Sequence, residues 1–189
     1  MVPSPKLFFL CGKMAAGKST LARALAAEQE HAILLVSDEW LGRPYPTEIV
    51  GVPAFIKYSS RLNEALTRHI CMLLGHGLSI VLDFPGNTRR QRAWFRQLLD
   101  ASGADHELHV VDASDAVCKR QLRARSAGFP EGTRWTTDAE FEAITAYFGD
   151  GGGKITTMNH TLWSAGIFPN ATIGDVMDLR GPYVCSEYV

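Results

Sequence analysis

The stretch Gly12-Lys13-Met14-Ala15-Ala16-Gly17-Lys18-Ser19 decides the fold of this chain. It fits the pattern G-x-x-x-x-G-K-[ST], whose glycines let the backbone turn and bring its N–H groups close to phosphate oxygens. The apolar run before it predicts a strand over 6–11, and the Ala- and Leu-rich segment after it predicts a helix over 20–30. A glycine-rich loop between a strand and a helix is the setting in which this pattern binds nucleotide phosphates.

Two side chains of this phosphate loop have predicted roles. Lys18 would reach the β- and γ-phosphates, and the Ser19 hydroxyl would ligate Mg²⁺. The whole loop from Gly12, together with Thr20, would contact the nucleotide. ATP and GTP both remain open as the co-substrate, because no residue pattern identifies a reader of the base.

Strand and helix patterns alternate along the rest of the chain. Continuous apolar runs over 32–36, 78–82 and 106–111 predict strands that are buried on both faces. Periodicity and capping signals predict helices over 54–74, 88–102, 116–127 and 137–148, with a Pro/Gly-rich loop over 42–53. This alternation predicts an α/β protein of the three-layer P-loop NTPase class, with a parallel sheet and helices on both faces.

The chain has 189 residues, which favours one domain. We expect a catalytic domain over 1–150 with a small lid around 120–136, and a C-terminal tail over 151–189 that either completes the sheet or stays unassigned. Residues 154–160 are the candidate for a fifth strand. Nothing in the rest of the tail shows a clear period.

Charge and cysteine usage exclude several classes of protein. The chain carries 19 Lys and Arg against 20 Asp and Glu, so it lacks the basic excess of a general binder of nucleic acids or anionic membranes. Its four cysteines are far apart, which argues against a zinc cluster or a disulfide scaffold. No apolar run approaches the ~18 residues that span a bilayer. We therefore expect a cytoplasmic protein, a monomer or homodimer, that acts on a small molecule.

A phosphate loop serves molecular switches, motor ATPases and small-molecule kinases. A guanine-specific switch would carry an Asn-Lys-x-Asp-like segment, which is absent here, and a motor needs a longer chain. A compact kinase needs a base for the acceptor hydroxyl, a carboxylate near the metal and arginines over the phosphates. The sequence offers candidates for all three.

Two carboxylates follow predicted strands. Asp38 ends the second strand, and because ligands gather at the carboxyl ends of parallel strands, it is the candidate base. Asp83 ends the third strand and is the candidate Mg²⁺ carboxylate, although it could equally face the acceptor. Each could instead be a capping or turn residue.

Arginines follow in two groups. Arg120, Arg123 and Arg125 lie on the predicted lid helix, and their guanidinium groups suit the spread charge of a transferring phosphoryl group. The second group lies on the preceding helix and consists of Arg89, Arg90, Arg92 and Arg96. Arg89, Arg92 and Arg96 share a face of that helix, and Arg89 or Arg92 would bind an anionic substrate if it faced the cleft. A solvated basic face is the alternative for both groups.

These segments together resemble a known family. CGKMAAGKSTLARALA, VSDEW, VLDF and the Arg-rich CKRQLRARS look like the small AAA-domain phosphate-loop kinases related to zeta toxins and chloramphenicol phosphotransferase, over about residues 6–150. The resemblance implies a sheet order of 2-3-1-4-5. It also implies that Lys18 and Ser19 hold nucleotide and Mg²⁺, that Asp38 is the base and Asp83 the second acidic position, and that Arg120 and Arg125 are lid arginines.

The resemblance does not fix the acceptor, because members phosphorylate hydroxyls of very different molecules. Acidic side chains are frequent in the segments that should line the acceptor site: Asp38, Glu39, Glu48, Asp83, Glu131, Asp138, Glu140 and Glu142. An acidic pocket would suit a polycationic acceptor, so an aminoglycoside antibiotic is the first expectation, ahead of a chloramphenicol-type acceptor. A nucleoside, sugar or nucleotide-sugar kinase is the alternative enzyme, and a non-catalytic nucleotide-binding module is the alternative outside enzymes.

Overall fold

The computed structural model describes residues 4–130, 133, 136–150 and 183–187, without side chains at 89, 147–150 and 183–187. A parallel sheet forms its centre, and its strands are β1 (Lys6–Gly12), β2 (Ala32–Val36), β3 (Ser79–Asp83), β4 (Asp105–Asp112) and β5 (Tyr183–Glu187). The strand order is β2-β3-β1-β4-β5, with parallel pairing throughout. The predicted α/β class and sheet order are therefore confirmed.

The fifth strand is formed by 183–187, which no sequence pattern predicted. It pairs with the carboxyl half of β4, in register from Leu108 opposite Tyr183 to Asp112 opposite Glu187. The candidate strand over 154–160 lies outside the described residues.

Six helices are described: α1 (Lys18–Glu28), α2 (Ser37–Gly42), α3 (Gly51–Gly75), α4 (Arg89–Ser102), α5 (Asp115–Ser126) and α6 (Asp138–Asp150). The predicted bounds of the loop over 42–53 are wrong at both ends. The short helix α2 precedes it, and α3 begins three residues earlier than predicted. Pro53 lies in the first turn of α3, where a backbone N–H has no partner within the helix, so this proline does not prevent the helix from starting there.

Side chains alternate across the sheet and define two apolar layers. Leu7 and Phe9 of β1 face α3 and α4 in one cluster, whereas Phe8 and Leu10 face α1 and α5 in the other, which Phe141 of α6 completes. Both layers are deeply buried. This is the predicted three-layer arrangement. Within the described residues, no helix has both the length and the apolar composition needed to cross a membrane.

The start of α4 is fixed by the predicted capping box. The Thr88 hydroxyl accepts from the Gln91 backbone N–H at 3.2 Å, and the Gln91 side chain accepts from the Thr88 N–H at 2.9 Å. The left-handed Gly103 ends the helix. These contacts anchor the segment that joins β3 to α4, which forms one wall of the site described below.

Candidate active site

The loop between β1 and α1 has a backbone that requires its two glycines. Gly12 adopts a φ of 144°, and a Cβ at this position would lie 2.4 Å from the Val111 carbonyl oxygen. Gly17 caps α1 with a φ of 102°. Both angles are unfavourable for residues with a side chain. The loop therefore passes against β4 and opens directly into the helix, as the phosphate-loop pattern predicts.

Lys18 lies folded over this loop. Its Nζ donates to the Gly12 carbonyl oxygen at 2.9 Å and to the Lys13 carbonyl oxygen at 2.7 Å. Desolvation lowers the pKa of Lys18 below its ordinary value, while nearby negative groups, including Asp83 and Asp38, act in the opposite direction. The ammonium group is thus held at the mouth of the loop.

Lys13 points elsewhere. Its Nζ donates to Asp115 Oδ1 at 2.6 Å and to the Ala113 carbonyl oxygen at 3.3 Å. The side chain thereby ties the loop to the start of α5 rather than lining the cleft. Its backbone carbonyl, in contrast, is one of the two acceptors of Lys18.

Asp38 and Asp83 meet at the carboxyl edge of the sheet. The last residue of β2, Val36, is in register with Asp83, and Asp38 follows in the first turn of α2. Asp83 is 8% exposed, whereas Asp38 is accessible to water inside the cleft. Desolvation by the surrounding walls raises the pKa of Asp38, and the charge of Asp83 raises it further, against the lowering effect of Arg125 and Lys18.

Asn87 is a buried residue of the site that the sequence did not reveal. Its Oδ1 accepts from the Gly12 backbone N–H at 2.9 Å, and its Nδ2 donates to the Gly12 carbonyl oxygen at 2.9 Å. The side-chain amide thus pairs with both polar groups of one loop residue. The only sequence feature near Asn87 is the Thr88 capping box that follows it. A capping box does not indicate a hydrogen-bond partner 75 residues away.

These residues open onto a cleft of about 1550 Å³ that runs between α3 and α4. Gly17, Lys18, Ser19 and Thr20 line it at the phosphate loop, with Met14 and Ala15. The lining residues of α3 extend from Val52 to Cys71, which is roughly 28 Å of helix at ~1.5 Å per residue. The cleft therefore has room for more than a triphosphate.

The structure separates the predicted arginines. Arg125 lines the cleft, and Arg120 is not among its lining residues. Arg123 donates twice to the Asp138 carboxylate. Arg92 donates to the carbonyl oxygens of Gly86 at 3.3 Å and Asn87 at 3.0 Å, so it braces the wall of the cleft instead of facing it.

The expected acidic pocket does not form among the described residues. Of the eight acids proposed from the sequence, Asp38 and Asp83 line the cleft. Glu131 and the side chain of Arg89 lie outside what the structure describes. Glu64 of α3 adds a third acid, but more cations share this lining: Lys18, Arg23, Arg68, Arg90 and Arg125.

The oxygen groups at the loop fit Mg²⁺. The Ser19 residue is exposed at the start of α1, and it lines the cleft together with the Asp83 carboxylate. No cluster of three or more acidic, His or Cys residues that could hold a metal alone occurs in the described ranges. Magnesium bound through one or two protein oxygens, substrate phosphates and water needs no such cluster.

Solved structures share this architecture. A putative kinase from Chloroflexus aurantiacus matches with a TM-score of 0.63 and 18% identity over 99% of this chain and 87% of that one. The Mycobacterium tuberculosis APS kinase CysC in complex with AMPPNP and APS matches with a TM-score of 0.52 and 20% identity over 72% and 75%. At these identities the likeness shows the fold.

A Pnkp1/Rnl/Hen1 RNA repair complex also contains a similar chain, with a TM-score of 0.58 and 17% identity over 76% of this chain. This chain spans 44% of the length of that protein. A comparison with curated proteins finds no significant match.

A family model identifies the relationship at the level of sequence. Residues 7–149 match the model of the AAA domain family AAA_33. The matched range runs from β1 to the end of α6 and includes the phosphate loop and both carboxylates of the sheet edge. The more specific resemblance to zeta toxins and chloramphenicol phosphotransferase stays a prediction. This chain, with its phosphate loop set in a kinase-like α/β fold, belongs to the AAA domain family AAA_33.

Proposed function

We propose that this protein is a Mg²⁺-dependent kinase that transfers the γ-phosphoryl group of a nucleoside triphosphate to a hydroxyl group of a small molecule. One observation carries the proposal: Lys18, Asp38, Asp83 and Arg125 all face the phosphate-loop end of one large cleft. A site that only hydrolyses or senses nucleotide has no need of further space beside a carboxylate. Here the cleft continues along α3 past the loop.

Asp38 is the group that would accept the proton of the acceptor hydroxyl. The hydroxyl oxygen forms a bond to the γ-phosphorus while the bond from that phosphorus to the bridging oxygen breaks, and the nucleoside diphosphate leaves. The hydroxyl proton goes to the Asp38 carboxylate. Desolvation and Asp83 raise the pKa of Asp38, and a base whose pKa lies closer to the working pH is a more effective catalyst.

Lys18 and Arg125 would stabilise the charge on the transferring group. Lys18 Nζ lies at the loop that would hold the β- and γ-phosphates. Arg125 lines the cleft from α5 and acts on the charge of Asp38. A guanidinium group there can bind the equatorial phosphoryl oxygens without losing its charge. Ser19 and Asp83 would hold Mg²⁺, which neutralises phosphate charge.

The acceptor is a separate part of the proposal. The aminoglycoside expectation depended on an acidic pocket, and the described lining contains more cations than acids. Arg68 and Arg90 face the cleft, which disfavours a polycation and supports the alternative of a sugar, nucleoside or nucleotide-sugar acceptor, above all its anionic members. The likeness in fold to an APS kinase that binds AMPPNP and APS supports an alcohol acceptor beside a triphosphate.

Acceptor-stimulated release of nucleoside diphosphate tests the proposal. ATP and GTP with Mg²⁺ would each be incubated with sugars, nucleosides, nucleotide sugars, aminoglycosides and chloramphenicol. We expect one acceptor class to raise the rate well above the rate with water alone, and Lys18→Ala to remove that increase. A rate that no acceptor changes would contradict the kinase and favour a nucleotide-binding module.

A further inference from the structure

The cleft has a second charged region beyond the phosphate loop. We infer that its α3–α4 portion binds an anionic group of the acceptor through Arg68 and Arg90. The acceptor is then an alcohol that also carries a phosphate or carboxylate group. This inference rests on the proposed kinase function and names the substrate class for the same site.

Arg90 connects the two helices that form the walls of the cleft. Its Nη2 donates to the Ser60 hydroxyl at 2.8 Å, across the space between α4 and α3. The neighbouring Ser59 shares a small recess with Ser37, the residue before Asp38. The segment of α3 that holds the Arg90 guanidinium group is thus continuous with the wall of the Ser37 recess.

Arg68 lies on the same wall, about two turns further along α3 from Ser60. It forms no ion pair within the described part of the chain. Glu64 precedes it by one helical turn and also lines the cleft, but the two side chains are not within ion-pair distance. Arg68 thus presents an uncompensated charge to the cleft, as does Arg90, which donates to a neutral hydroxyl.

Some basic side chains outside the cleft have acidic partners, although Lys57 and Arg61 of α3 lie over the Tyr58 ring instead. Arg96 of α4 pairs with Asp100 at 2.8 Å, and Lys119 of α5 pairs with Glu142 at 2.6 Å. The contrast lies in position: these paired side chains are outside the cleft, whereas Arg68 and Arg90 line it. Two guanidinium groups without acidic partners attract a phosphate or carboxylate strongly, because both anions accept two parallel hydrogen bonds from guanidinium.

Neutral polar groups line the same cleft as the two arginines. Ser59, Asn63 and Gln91 line this part of the cleft, and the Ser59 hydroxyl is buried without a hydrogen-bond partner. Such groups recognise hydroxyls or amides, since a buried polar group gains most from a partner that replaces water. The lining therefore suits a polyhydroxylated molecule with one anionic end.

Calorimetric titration tests the inference on the whole chain, with Mg²⁺ and AMPPNP present to fill the nucleotide site. The probes are matched sets that differ in charge: glucose, gluconate and glucose 6-phosphate, then adenosine and adenosine 3′-monophosphate. In at least one set we expect the anionic member to bind at least tenfold more tightly than the neutral one. Gluconate against glucose 6-phosphate distinguishes a carboxylate from a phosphate.

Variants assign the effect to the arginines. Arg68→Ala and Arg90→Ala should each weaken binding of the anionic probe by roughly tenfold to a hundredfold, since hydrogen bonds to charged groups are strong, while AMPPNP affinity stays unchanged. Arg61→Ala is the matched control, because Arg61 is exposed on α3 and stacks on Tyr58 outside the cleft. It should bind like the wild type.

Two results would overturn the inference: equal binding of neutral and anionic members in every set, or an anion preference that survives both substitutions. A different result would contradict the proposed kinase function alone. Anion binding that depends on Arg68 and Arg90, without any label transfer, would contradict the proposed function and leave the anion site standing.

Discussion

Replacing Asp38 with asparagine should separate catalysis from folding stability. Asparagine keeps the shape of the side chain and one acceptor oxygen, but it has neither the charge nor the basicity needed to take the acceptor proton. A positioned general base contributes about 10²–10⁴ in rate, which corresponds to roughly 3–5 kcal/mol of barrier at ~1.36 kcal/mol per tenfold change. We expect kcat of Asp38→Asn to fall by that factor.

Stability should change in the opposite direction. The pKa of Asp38 is raised in the folded protein, so the folded state binds this proton more tightly than the unfolded state. The wild type therefore loses folding free energy as pH rises from the unfolded pKa of ~3.9 through the folded pKa. Asparagine removes this loss, so the variant should be slightly more stable at neutral pH. Because water reaches Asp38, the gain should stay below about 1 kcal/mol.

Three measurements check this reasoning: kcat, nucleotide affinity and melting temperature at acidic and neutral pH. Nucleotide affinity should be unchanged, because the Lys18 contacts with the loop do not involve Asp38. Glu39→Gln is the matched control, since Glu39 is the next residue of α2 and does not line the cleft. The reasoning is refuted if Asp38→Asn turns over at near the wild-type rate, or if it loses activity and stability together.

Further predictions concern the loop and its supports. Asn87→Ala removes both hydrogen bonds to Gly12 and leaves the buried Gly12 N–H unpaired. The free energy of unfolding should fall by about 1–3 kcal/mol, and nucleotide affinity should fall as well. An unchanged denaturant midpoint would contradict a supporting role of Asn87. Gly86→Ala places a Cβ 2.7 Å from Phe95 Cε2, and a thermal melt should show a loss of about 1–3 kcal/mol, whereas a wild-type melt would contradict the packing. The pKa of Lys18 is lowered, so kcat/KM for nucleotide should decline with rising pH before the ordinary lysine range of ~10.4 is reached; a flat alkaline limb would contradict this.

Local signals account for most of the fold. The Thr88 capping box and the Gly103 stop predicted α4 closely because both act within a few residues of the helix end. The predicted bounds of β2 match the strand, but the expected burial on both faces is wrong: β2 lies at the edge of the sheet beside β3 and is mostly half-buried. The position of the fifth strand at 183–187 was not predicted, because its pairing with β4 is formed across more than 70 residues of sequence and leaves no period of its own.

The candidate site also has residues that the sequence could predict and residues that it could not. Lys18, Asp38 and Asp83 were predictable because a motif or a strand end fixes each of them, and the ends of parallel strands converge. The cleft wall was not predictable. Arg90 lies in the cleft and Arg92 braces the loop, although they are only two residues apart, because the packing angle of α4 decides which side of the helix faces α3. The prediction of an acidic pocket was wrong for a related reason: the spacing of carboxylates along the sequence does not show which of them face the same cavity.

Quantitative transfer of label from γ-labelled ATP or GTP tests the central claim most directly. The protein would be incubated with Mg²⁺ and the acceptor that stimulates diphosphate release, and the labelled ester would be counted against the diphosphate formed. Our account predicts one labelled alcohol phosphate for each diphosphate, with transfer lost in Asp38→Asn. Label that appears as inorganic phosphate alone, in the presence of every acceptor class, would contradict it.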